Sequence, residues 1–426
     1  MTARLLNLNR RTFASLKHRN YRLFFSGQVV SVTGTWMQRI AQAWLVLQLT
    51  HSPVAVGILA LAQFLPFSTF GLFAGVIVDR FDARRLVITT QATAMALAAL
   101  LAGLALSGVV EAWHVYVLGF LAGTVQVLDA PARQALTYRM VGPAELPNAI
   151  ALNSGLFNGA RIFGPGIGGV LIAAVGPGIC FAVNAGSFLA VLGVLFLMRQ
   201  EEFSPLERFE RPTMLRGIGE GFRYVASSRR ALTVLLLVAV VSMFAVNNNV
   251  LLPVLAKRTL HSGAGTFGLL SAFFGAGALV GALSAAAVGR ARVKLVLLGA
   301  AGFGASQLLI APERSLAVVL LLLLLGGACF SLWSSNSNTL LQLEAPDHLR
   351  GRVVGLYFYG FAGTGSVGGL FSGWLADVGG TELAYAVAGS IALAAAVVAG
   401  LALGVRERLH PPRARQRLDV KRASLR

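Results

Sequence analysis

The stretch "GLFAGVIVDRFDARR", Gly71 to Arg85, begins as apolar sequence of membrane grade and ends with two acids and three arginines in seven residues. Its meaning depends on the chain around it. That chain has 426 residues, 56% of them hydrophobic and 12% charged. A soluble protein carries roughly twice that share of charge. Apolar runs of about 20 residues recur from end to end, each long enough to cross a hydrocarbon core about 30 Å thick. The chain therefore reads as an all-α, polytopic membrane protein. Twelve spans are expected, at 20–46, 53–77, 86–107, 113–132, 149–175, 179–198, 231–256, 266–288, 294–312, 315–341, 352–378 and 384–404.

A net charge of +19 could suggest a nucleic-acid binder, but the distribution of the charge argues otherwise. Alternate connections hold most of the arginines: the N-terminus, the loops around Arg80, Arg139, Arg211 and Arg290, the 350 region and the tail from Arg406. The opposite set holds little beyond Lys257, Arg258 and Arg314. That asymmetry predicts both termini in the cytoplasm of a multi-pass inner-membrane protein. No basic patch is interleaved with aromatics, so no nucleic-acid partner is expected. Cys180 and Cys329 fall inside apolar spans, and the histidines are scattered, with His114 alone inside a span, at its very start. No disulfide framework, metal site or cofactor follows from that pattern. No cleavable leader is read, and the first span is expected to direct insertion.

The longest polar interval, Arg199 to Arg230, mixes charges of both signs with Pro205 and Pro212 and divides the spans six and six. The expected organisation is an N-terminal half at 1–198, a solvated cytoplasmic linker at 199–230, a C-terminal half at 231–404 and a basic tail at 405–426. The halves repeat. "THSPVAVGILALAQFLPFSTFGLFAG" from Thr50 is echoed by "LHSGAGTFGLLSAFFGAGALVG" from Leu260. Gly71-x-x-x-Gly75 returns as Gly277-x-x-x-Gly281, and Gly168-Gly169 as Gly368-Gly369. An even number of spans per repeat gives both halves one orientation, related by an axis along the membrane normal. A substrate site is then expected at mid-membrane, between the halves.

The opening stretch resembles the signature between the second and third helices of the major facilitator superfamily. "LVLQLTHSPVAVGILALAQFLP", "VIVDRFDARR" and "DAPARQAL" resemble its exporter branch containing enterobactin and macrolide efflux proteins. The resemblance covers essentially the whole chain, though Asp82-Ala83 stands where the signature usually has a glycine. It implies a twelve-helix transporter, working as a monomer among membrane lipids. Alternating access would export an amphipathic small molecule such as a siderophore, drug or natural product, by proton antiport. A lysophospholipid transporter is the alternative within transport, and a non-transporting sensor or scaffold the alternative outside it. No Gly-x-x-x-x-Gly-Lys-Ser/Thr loop is present, so ATP hydrolysis and enzymatic chemistry are not expected.

Four candidate groups follow. Gly71 and Gly75, one turn apart, would let a second helix approach closely. Asp79, Arg80, Arg84 and Arg85 would then form a conformational latch, holding in one state and breaking in the other. The resemblance makes Asp129 their partner. Span 1 carries Gln28, Ser31, Thr35, Arg39 and Gln42 on one helical face. A central arginine costs roughly 2.5–3.5 kcal/mol on insertion scales, so this stripe must face protein or a wet cavity. Gln126 in span 4, Asn247 and Asn248 in span 7, and Trp333 and Asn336 in "SLWSSNSN" of span 10 complete the cavity candidates. Spans 1, 4, 7 and 10 are those that line the cavity in the resembled family. "NGARIFGPGIGG" in span 5 resembles its Gly-Pro antiporter motif. It offers Gly164, Pro165, Gly168 and Gly169 as a gating helix packed on the other half, with Arg161 as a second cavity cation.

Overall fold

The computed structural model describes residues 13–71, 73–78, 80–204, 214–288, 291–346 and 349–409. The helices are α1 (Arg19–Thr50), α2 (Pro53–Phe70), α3 (Ala74–Val78), α4 (Ala83–Leu106), α5 (Ala112–Val175), α6 (Pro177–Leu197) and α7 (Met214–Ser227). They continue as α8 (Arg229–Ala245), α9 (Asn248–Val254), α10 (Ala264–Val288), α11 (Val293–Ile310), α12 (Leu316–Glu344), α13 (Arg350–Phe358) and α14 (Gly365–Leu409). No strand occurs among the described residues.

Nine helical segments among the described residues are long and apolar enough to span a membrane. Two of them are double. Helix α5 has 64 residues and would run about 96 Å if straight. It breaks at Gly142, whose φ of 71° and ψ of 176° end the fourth span, and Pro143 opens the fifth. Helix α14 breaks in the same way at Gly379 and Gly380. Helix α1 is long enough but more polar, because it carries the stripe. Counting each double segment twice and adding α1 gives the twelve crossings. Large apolar side chains such as Val170, Phe196, Leu298 and Val398 lie exposed on the outside. Such a surface belongs in lipid, where only helices that satisfy their own backbone can stand.

The repeat is visible in packing. A methyl on Gly168 would lie 2.8 Å from Ile40 of α1, while one on Gly169 would lie 2.6 Å from Gly268 Cα on α10. In the other half a methyl on Gly368 would overlap the Met243 carbonyl of α8, and one on Gly369 would lie 2.6 Å from Ala60 of α2. In each pair the first glycine packs within its own half and the second packs across to the other.

The Gly-x-x-x-Gly motifs do not behave alike. Gly277 and Gly281 sit within α10 and admit the Leu324 and Ala328 carbonyls of α12, a close helix contact of the expected kind. Gly71 instead caps α2, and the chain resumes helix only at Ala74. A Cβ there would meet the Phe67 carbonyl of its own helix rather than a neighbour. Gly71 thus ends a helix, whereas Gly277 lies at a contact between two.

The interval expected to be a solvated connector contains α7, which is docked on the C-terminal half. The Tyr224 hydroxyl donates to the Glu344 carbonyl, Glu220 pairs with Arg352, and Arg230 pairs with Glu344 at 2.8 Å.

Candidate functional site: a cavity between the halves

A cavity of about 310 Å³ lies where α1, α2, α5, α8–α10, α12 and the residues after α13 meet. Its wall includes Trp36, Arg39, Arg161, Asn247, Asn248, Phe274, Phe330 and Phe361. Local sequence explains each contribution. Helix α1 runs unbroken for 32 residues, so its polar stripe keeps one face. The Thr35 hydroxyl is spent on its own helix, donating to the Ser31 carbonyl at 2.9 Å. Span 7 is broken instead. Helix α8 ends at Ala245 and α9 starts at Asn248, because three consecutive asparagines are poor helix formers. Asn247 donates to the Met243 carbonyl at 2.8 Å, whereas the Asn248 side-chain nitrogen has no partner among the described residues. Ser242, also on the wall and 1% exposed, has an unpartnered hydroxyl. Span 11 carries a π-helical turn at Tyr359–Gly363, which brings Phe361 to the wall.

The two cavity cations are held by rings. The Arg161 guanidinium lies 4.9 Å from the Phe330 ring centroid, 5.3 Å from Phe274 and 5.9 Å from Trp36. Arg39 lies 5.0 Å from Trp36. Trp36 therefore touches both cations, and the negative faces of the rings favour that arrangement. Among the described residues neither arginine has a carboxylate within ion-pairing distance.

Arg39 also lines two smaller polar chambers inside the N-terminal half. One, of about 110 Å³, reaches Thr35, Gln42, Gln91, Gln126, Asp129 and Arg133. The other, of about 140 Å³, is bordered by Thr35, Gln42, Gln63 and Gln126, with Gln63 donating to Gln42 at 2.9 Å.

The remaining candidates sit elsewhere. Trp333 is fully buried behind the wall, packed on Phe330 and Phe361 with its indole nitrogen unpartnered. Asn336 is buried one turn further on and donates to the Leu332 carbonyl of its own helix. Both belong to the layer behind the cavity, because α12 turns Phe330 rather than its polar run towards the opening. Gln28 lies deeper in the N-terminal half and accepts from Arg133 at 2.7 Å.

The latch residues are dispersed. Asp79 lies outside the described residues, as does the side-chain placement of Gly75. Arg80 and the Arg85 side chain are exposed, and Arg84 donates to the Leu195 carbonyl at the end of α6. Among the described residues, Asp129 pairs with none of Arg80, Arg84 and Arg85. It accepts from Thr90 at 2.7 Å and Gln91 at 2.9 Å and pairs with Arg133 at 2.8 Å. The i,i+4 spacing of Asp129 and Arg133 puts them together on one helix face, which takes the carboxylate inward. Among the described residues of this loop, Asp82 ties it to span 4: it caps α4 through the Arg85 N–H and pairs with Arg139 at 2.7 Å. Burial pushes its carboxyl up, but the N–H bonds and the guanidinium prevail and hold it below the ordinary carboxylate value.

Of the gating group, Gly164 and Gly168 pack on α1, and Pro165 presents its carbonyl towards Gly268. Gly169 and the Pro165 carbonyl make the contact across the halves that was expected of the whole segment. Further contacts across the halves lie at the Thr50 end of α1. Lys257 donates to the Leu47 carbonyl at 3.1 Å, Arg258 to the His51 carbonyl at 2.6 Å, and Trp44 stacks on Phe267.

Sequence reading missed Trp36, Phe274, Phe330 and Ser242. Trp36 had a signal, since it stands three residues before Arg39 on the same face. The phenylalanines had none, because apolar rings are common in every span.

Two repeated six-helix halves enclosing a polar cavity at their interface define the class, a membrane transporter fold. The chain belongs to the major facilitator superfamily, matching its transmembrane secretion effector family over residues 10–418. It is 30% identical to the multidrug efflux pump Tap of Mycolicibacterium fortuitum over 362 residues, covering 83% of this chain and 88% of the pump. It is 25% identical to the staphyloferrin A transporter of Staphylococcus aureus, covering 86% of this chain and 92% of that one. The fold matches the nucleoside transporter NupG with a TM-score of 0.69 at 11% identity, over 90% of this chain and 99% of the other.

Proposed function

We propose that this protein exports neutral or anionic amphiphiles from the cytoplasm by alternating access, and disfavours permanent cations. The observation that carries the reading is the pair Arg39 and Arg161, which face one cavity with aromatic walls and no ion-paired carboxylate. In a medium of low dielectric, excess positive charge attracts anionic or hydroxyl-rich ligands and repels like charge. Phe274, Phe330 and Phe361 offer the apolar part of such a ligand its contact. A relative named as a multidrug efflux pump supports export, and one named as a staphyloferrin A transporter supports a small-molecule substrate.

With both termini in the cytoplasm of the inner membrane, the contacts of Lys257 and Arg258 form an outer seal and the cavity faces inward. The monomer contains the whole cavity. Proton antiport, which the family resemblance implies, would call on Asp129, the carboxylate that shares a chamber with Arg39.

The test compares cellular accumulation of an anionic and a cationic fluorescent amphiphile, with and without the protein. Export of the anion, lost in Arg39→Gln and partly restored in Arg39→Lys, is expected, because lysine keeps the charge but not the bidentate fork. Efficient export of tetraphenylphosphonium that Arg39→Gln leaves untouched would refute the reading.

A further inference from the structure

The charges at membrane depth do not balance. Among the described residues the interiors of the spans carry three arginines, Arg39, Arg133 and Arg161, and one carboxylate, Asp129. Asp129 and Arg133 cancel at 2.8 Å. Arg39 and Arg161 remain, and an arginine stays charged at any working pH. What faces them in the cavity is neutral, the rings of Trp36, Phe274 and Phe330 and the amides of Asn247 and Asn248, and the Asp129–Arg133 pair that shares a chamber with Arg39 adds no net charge. The ring quadrupoles stabilise the cations without cancelling their charge. The empty cavity thus bears two positive charges that no described group offsets.

We propose that the membrane potential drives this transporter through those two arginines, with the return of the empty carrier as the voltage-sensitive step. The proposal rests on the anionic-substrate reading above. Alternating access moves the cavity's water from one side of the membrane to the other. The site's charges therefore change position in the transmembrane field even where their side chains hardly shift. With the cytoplasm negative, two uncompensated cations favour the state open to the cytoplasm. A substrate with two negative charges cancels them, and the loaded carrier reorients without regard to voltage. Over one cycle the arginines go and return, so the net transfer is the substrate's own negative charge, outward. A potential of 100 mV sustains about a fiftyfold concentration ratio for each charge carried.

The first experiment needs no substrate. Cys180 and Cys329 are replaced by alanine, and spin labels are attached at Ile150→Cys and Leu343→Cys, exposed sites near the cytoplasmic ends of spans 5 and 10. In proteoliposomes, valinomycin and a potassium gradient set the potential at constant pH. A potential negative on the cytoplasmic side should enrich the widely separated labels, by up to about fiftyfold per 100 mV for each charge that crosses the whole field. Arg39→Gln and Arg161→Gln should each halve the logarithmic slope, and the double variant should abolish it. Arg39→Lys with Arg161→Lys should keep it, which separates loss of charge from loss of fold. No voltage response in the wild type, or a full response in the double glutamine variant, overturns the proposal.

Lucifer yellow, a disulfonated aromatic dye whose charge is independent of pH, then tells the two readings apart. Efflux that follows the potential at equal pH supports both. Efflux that follows a pH gradient and ignores the potential overturns the voltage mechanism and leaves the anionic cavity standing. Voltage-responsive labels without dye transport support the voltage mechanism and count against the anionic-substrate reading.

Discussion

Gly168 and Gly169 do for α1 and α10 what Gly368 and Gly369 do for α8 and α2, yet the cavity these helices enclose is charged on one side only. The N-terminal half supplies Arg39 and Arg161, and holds the Asp129–Arg133 pair in an adjoining chamber. The C-terminal half supplies Asn247–Asn249, Phe274, Phe330 and Phe361 and, among the described residues, no charge on that wall. The packing plan is common to both halves because close helix approach depends on small residues at fixed positions, whatever is carried. The chemistry has diverged because side chains on the cavity wall are not needed to hold helices together. Recognition of charge can therefore belong to one half, while the other provides a wall of rings and amides for the rest of the ligand.

The largest expected effect comes from erasing that asymmetry. Arg161→Gln should cut export of an anionic amphiphile by more than tenfold, corresponding to at least about 1.4 kcal/mol of lost stabilisation. Phe330→Ala should cost less for the anion and more for a neutral, apolar analogue. Efflux rates for the two ligands in the two variants check this. Equal losses for both ligands in both variants would remove the division of labour.

The next effect probes the shared packing. Gly169→Leu and Gly369→Leu place bulk between the halves, while Gly168→Leu places it within one half. Overpacking costs roughly 1–3 kcal/mol in each case. The two cross-half variants should lose transport with near-normal melting in detergent, because the halves can part. Gly168→Leu should melt lower. Gly103, where an added methyl would meet nothing within 4 Å, is the control: Gly103→Ala should leave both measurements unchanged. Transport and melting that fall together in all three leucine variants would deny a distinction between internal and gating contacts.

The smallest effect belongs to Asp82 and Arg139. The folded carboxyl is held below its ordinary value, so its contribution to stability is present above that value and is lost as pH falls through the lowered one. Asp82 is partly exposed, so the pair is worth roughly 0.2–1 kcal/mol and weakens with salt. Asp82→Asn should lower the melting temperature slightly at pH 7 and lose that difference once the pH has fallen below the lowered carboxyl value. A difference that persists in acid would point to the helix cap rather than the charge.

Several features were legible in the sequence because they follow from solvation alone. Apolar runs of fixed length give the twelve crossings, since a backbone in lipid must satisfy itself. The offset of about 200 residues gives two like halves, and the spacing of Gln28, Ser31, Thr35, Arg39 and Gln42 gives a polar face on α1. Arg39 and Arg161 could be placed in the interior because lipid excludes them. Which polar residue meets the cavity was decided by tertiary structure. Trp333 and Asn336 sit on the right helix, but the rotation of α12 turns Phe330 to the opening and leaves them behind it. Asp129 belongs to a motif that suggested a loop partner, yet Thr90, Gln91 and Arg133 hold it inside. Gly168 and Gly169 are neighbours in sequence and face different helices, because one step along a helix turns a residue by about 100°. Sequence sets which groups must avoid lipid; only the rotation and crossing of helices set what each of them meets instead.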